Sequence, residues 1–91
     1  MIDPRESDVV CGRGGAALKH PGNLTYRGLV DLNKGPYISC PRREKIEISR
    51  SIVAAIREQR GRFLEQDATT GVWIDIGDKK ATEKTSQALR E

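Results

Sequence analysis

Aromatic side chains are scarce: Trp73, Phe63, Tyr26 and Tyr37 make up 4% of 91 residues. Hydrophobic residues reach only 36% against 32% charged, so the hydrophobic centre must be small. A single domain of this length buries roughly 60–65% of its unfolded surface. The apolar residues nonetheless cluster, which excludes a disordered tail. No apolar run approaches about 18 residues, which excludes a membrane-spanning helix. The opening Met1-Ile2-Asp3-Pro4-Arg5-Glu6 lacks the apolar segment of a signal peptide.

Histidine occurs once and cysteine twice. Cys11, His20 and Cys40 are too few and too widely spaced for a structural zinc site, which needs four ligands and close cysteine pairs. The two cysteines read as reduced thiols of a nuclear or cytosolic protein. No third group orients a Cys–His pair, and no carboxylate dyad or serine motif is present. Gly12-Arg13-Gly14-Gly15 lacks the Gly-Lys-Ser/Thr ending of a phosphate loop and the full dinucleotide fingerprint. These absences argue against an enzyme and imply no cofactor or metal.

What is present orders itself as extended–α–α–β–β–α. Asp8-Val9-Val10-Cys11 reads as a short strand feeding the glycine loop, with loop continuing from Ala16 to Gly22. Asn23 is placed as the N-cap of a helix over 24–33, stopped by Lys34-Gly35-Pro36. Tyr37 to Pro41 connects, pinned by Tyr37 and Ile38. A second helix over 42–59 puts Ile48, Ile52, Ala55 and Ile56 on one arc, with Gly61 suited to its C′ position. Residues 62–66 and 72–76 form a hairpin around Asp67–Gly71. Val72, Ile74 and Ile76 alternate toward the helices, leaving Trp73 on the other face. Asp78 is placed as the N-cap of a last helix reaching Arg90, with Ala81, Thr85, Ala88 and Leu89 inward. The expected fold is α+β: three helices on a small antiparallel hairpin, with a short N-terminal strand around Val9-Val10 as an optional third. One compact domain spans 8–91 and residues 1–7 form a flexible lead-in. Its centre is expected to hold Leu29, Val30, Ile48, Ile52, Ile56, Phe63, Ile74 and Leu89.

Six stretches stand out together: Asp8 to Gly15, His20-Pro21-Gly22-Asn23, Arg43-Glu44-Lys45, Gly61-Arg62-Phe63-Leu64, Gly77-Asp78-Lys79-Lys80-Ala81 and Glu83 through Glu91. In them the chain resembles an uncharacterised domain family of diatoms and related stramenopile algae. Ala16-Ala17-Leu18 replaces a more polar stretch, and Gln59-Arg60 stands where a glycine is common. The resemblance implies a eukaryotic module and carries no established activity.

Charge is segregated along the chain. Residues 42–62 carry seven bases against three acids, whereas 63–78 carry four acids and no base. Arginine forks suit phosphate oxygens, so Arg42, Arg43, Lys45 and Arg50 around the second helix are candidate backbone contacts; Arg57, Arg60 and Arg62 belong to the same basic stretch. The alternative for such a helix is a solvated, ion-paired face. Lys79, Lys80, Thr82, Lys84, Ser86, Gln87 and Arg90 on the last helix mix phosphate-binding and groove-reading chemistry, with Glu83 as the dissenting charge unless it reads cytosine. Arg13 and Lys19 add basic contacts from the glycine loop and its sequel. The leading expectation is a duplex-DNA-binding domain of a nuclear regulator, with the acidic hairpin turned away. A protein-interaction module anchored by an exposed Trp73 is the alternative, in the nucleus or cytoplasm, and an anion sensor at the Arg13 loop a third reading.

Overall fold

The structure, a computed structural model, describes residues 2–12 and 15–91. Among these the order is β1 (Val9–Cys11), α1 (Gly15–Lys19), α2 (Pro21–Ser39), α3 (Arg42–Glu58), β2 (Phe63–Gln66), β3 (Trp73–Asp75) and α4 (Gly77–Arg90). The fold is α+β. The optional third strand is present: β1 joins the hairpin in parallel with β2, Val9 opposite Phe63, while β2 and β3 pair antiparallel, Glu65 opposite Ile74.

Several local expectations are overturned by long-range packing. The stretch after the glycine loop contains a fourth helix, α1, held to α2 by a hydrogen bond from Arg27 to the Leu18 carbonyl. Pro21 opens α2, where its missing N–H costs nothing. Asn23 is therefore inside the helix and does not cap it. Its Oδ1 accepts from the Val10 N–H at 2.8 Å and its Nδ2 donates to the Val10 carbonyl at 2.9 Å, completing the edge of β1 that β2 does not cover. Nor does α2 stop at Gly35-Pro36. Proline orphans the Leu32 carbonyl, but both residues face solvent and the buried Tyr37 holds the following turn in place. Ile38, expected to pin this segment, is exposed.

Helix α3 ends in a Schellman motif: the Arg60 N–H reaches the Arg57 carbonyl at 2.9 Å and the Gly61 N–H reaches Ile56 at 2.9 Å. The left-handed residue is Arg60 (φ 63°), not Gly61. Gly61 serves close approach instead, since a Cβ there would lie 2.3 Å from the Ser7 carbonyl oxygen. Asp78 likewise does not cap α4; the Asp75 carboxylate accepts from the Gly77 N–H at 2.9 Å.

The centre is Val9, Val30, Ile52, Val53, Ile56, Phe63 and Leu89 around Tyr26, whose ring meets Phe63 edge-on at 5.5 Å. Thr85 donates to the Ala81 carbonyl at 2.8 Å, so the Tyr26 hydroxyl donates to Thr85 at 3.0 Å. Leu29 and Ile48 pack against this core at its margin. Ile74 does not join it and is 50% exposed. Register explains why: Ile74 lies across from Glu65, beyond the Phe63–Ile76 end of the sheet where Ile76 packs on the core. Trp73 and Asp75 alternate to the other face, but Trp73 is half-buried rather than an exposed anchor.

Candidate nucleic-acid interface

Helices α3 and α4 run antiparallel, because Arg57 reaches Asp78 at one end while the Ser49 and Ser86 hydroxyls meet at 2.7 Å further along. Inward Ala81, Thr85 and Leu89 recur at four-residue spacing and fix which side of α4 faces out. Lys80, Lys84 and Gln87 line a cleft of about 570 Å³ on the sheet side of α4, together with Cys11, Gly12, Glu65 and Arg90. On its other flank Arg50 and Lys79 border a groove of about 800 Å³ against α3, over Ile46, Val53 and Ala54. Basic side chains from two elements thus stand on both sides of one exposed helix.

The remaining expected residues are not gathered there. Arg42 and Arg43 are exposed in the first turn of α3, and Lys45 leans over the Tyr37 ring at 5.3 Å. Lys19 ends α1, away from both clefts. Arg13 lies outside the described residues. Arg90, expected from sequence among the polar residues of the last helix, shares the cleft with Gln87.

Two arginines of the basic stretch around α3 are used internally. Arg57 donates to both oxygens of Asp75 at 3.2 Å and to Asp78 at 3.0 Å, with its guanidinium over Phe63. Those hydrogen bonds, against the opposing effect of burial, hold the Asp75 carboxyl below its usual range. Arg62 donates from Nη2 and Nε to the buried Asp8 at 2.7 and 3.2 Å. Asp67 accepts from the Thr70 and Thr69 N–H groups of its own turn, which hold its carboxyl below the usual range and keep it ionised. No ion pair among the described residues involves Lys19, Arg42, Arg43, Lys45, Arg50, Lys79, Lys80 or Lys84. Burial pushes the Cys11 thiol up, with Lys84 opposing and Glu65 reinforcing.

Residues 8–91 match the family model described as a domain of unknown function (DUF6824). The chain belongs to this family. No curated protein and no solved structure matches it. The DUF6824 match begins at Asp8, the carboxylate that ties the N-terminal segment to Arg62, and ends just past α4. Cys11 and His20 of the domain line one cavity with Trp73 on the far face of the sheet, and the His20 ring Nε2 lies 2.8 Å from the Arg5 carbonyl. No group of three potential metal ligands occurs among the described residues.

Proposed function

We propose that this DUF6824 domain binds duplex DNA as part of a nuclear regulator, a binding rather than a catalytic role, with α4 in the major groove. The observation that carries the reading is the basic flanks of α4, which join no ion pair among the described residues: Lys80, Lys84 and Arg90 on one side, Lys79 and Arg50 on the other. A 14-residue helix is about 21 Å long and 10–12 Å across, which suits a groove about 12 Å wide with phosphates along both walls. Arg57 pairs with both acids nearest its N-terminus, Asp75 and Asp78, and offsets one of their two negative charges. Glu65 and Glu83 oppose the reading electrostatically and set a limit on non-specific affinity.

The double variant Lys80→Gln/Lys84→Gln is expected to weaken binding to all duplexes alike. It should also lower the salt dependence by about one counterion per lysine. Unchanged affinity in a duplex titration sinks the proposal.

A second reading, a protein-interaction hairpin, draws support from exposed Val72 and Ile74 beside the half-buried Trp73. Under it, Ile74→Asp abolishes partner capture and leaves duplex binding intact; under the DNA reading the lysine variant has the larger effect.

A further inference from the structure

Helix α4 carries two carboxylates within its body, and they have different fates. Asp78 is held by Arg57, whereas Glu83 is exposed and joins no ion pair among the described residues. Helix stability does not account for Glu83. It is the seventh residue of α4, beyond the first turn where the helix dipole favours an acid. Lys79 and Lys80 precede it, the weaker order for such pairs, and Ser86 and Gln87 one turn later are neutral. Glu83 borders both the sheet-side cleft and the α3 groove, so it stands on the crest between the two basic flanks.

Resting on the duplex-DNA reading, we infer that Glu83 is a specificity-determining residue that selects cytosine. A carboxylate is an acceptor only, so it gains nothing from guanine O6 and N7 or thymine O4. Adenine offers its amino group beside the N7 acceptor, which repels a carboxylate. Cytosine alone presents a donor, N4, without a neighbouring acceptor on its major-groove edge. The lysines on either flank hold the phosphates and offset the cost of bringing this negative charge into the groove.

The test is selection from randomised duplexes with the wild-type chain, Glu83→Gln and Lys80→Gln. Wild type is expected to enrich cytosine at one fixed position, with other bases there weakening binding about tenfold. Glu83→Gln should lose that preference while binding duplexes in general more tightly. Lys80→Gln should weaken every sequence with the preference unchanged. An identical motif for wild type and Glu83→Gln overturns the inference and leaves the DNA reading standing, as does binding without any sequence preference. Failure of the wild type to bind any duplex overturns both.

Discussion

Gly22→Ala is expected to destabilise the domain by about 3 kcal/mol or more, at the upper end for overpacking a tight site. A Cβ at this position would lie 1.9 Å from the Asp8 carbonyl oxygen, 2.6 Å from its carbon and 2.9 Å from the Glu6 oxygen. All three neighbours are backbone, so no side chain can rotate away. Relief requires α2 to separate from β1, which pulls Asn23 off the Val10 edge. At about 5 °C per kcal/mol for a domain of this size, the fall in Tm is on the order of 15 °C. Gly28→Ala in the same helix should have the opposite sign. A Cβ there meets nothing within 4 Å, and the gain in helix propensity is about 0.5–1 kcal/mol. Thermal melts of the pair decide the matter: equal effects contradict the close approach of the N-terminal segment to α2.

Asp8→Ala is expected to cost on the order of 3 kcal/mol, chiefly from leaving two backbone donors without an acceptor. Asp8 is fully buried and accepts from the N–H groups of Arg5 and Arg62, at 2.7 and 2.8 Å, as well as from the Arg62 guanidinium. Truncation leaves both backbone donors without their partner and the Arg62 charge half-desolvated. Burial pushes the Asp8 carboxyl up, but the Arg62 side chain and the two backbone N–H groups together push further the other way. Its pKa therefore lies below the usual 3.8. The folded state then binds this proton less tightly than the unfolded chain. Its contribution is complete above about pH 5 and is lost as the pH falls through the folded value. Asp67 and Asp75 are lowered as well and act in the same direction. Urea unfolding between neutral and acid pH should show the gap between wild type and Asp8→Asn narrowing below pH 4 or so. A gap that stays constant removes Asp8 from the account.

Elements whose apolar residues repeat within one helix or hairpin were legible from sequence. The arc of Ile48, Ile52 and Ile56 locates α3 to within a residue, and Ala81, Thr85 and Leu89 orient α4 correctly. Features decided between distant segments were not. Asn23 has the chemistry of a cap, yet a strand edge 13 residues earlier takes both ends of its amide. Pro36 has the chemistry of a stop, yet Tyr37 is buried one residue later and carries the helix past it. Arg57 and Arg62 are chemically the same as Arg50, and only the fold distinguishes internal struts from free cations. Arg60 occupies the left-handed position at the end of α3, so the departure from glycine noted at this point falls on the residue whose backbone most favours glycine. For the site itself, Lys80, Lys84 and Gln87 share a helix spacing that sequence reveals, whereas Arg50 and Lys79 line one groove only because α3 packs antiparallel against α4.

The most direct measurement of the nucleic-acid assignment is equilibrium binding of the wild-type domain to duplex DNA as salt is raised from roughly 50 to 200 mM. Four or five bases flanking α4, each displacing about 0.9 of a counterion, predict a log–log slope of about −4. Affinity that does not change over this range, or no measurable binding at its lower end, contradicts the assignment.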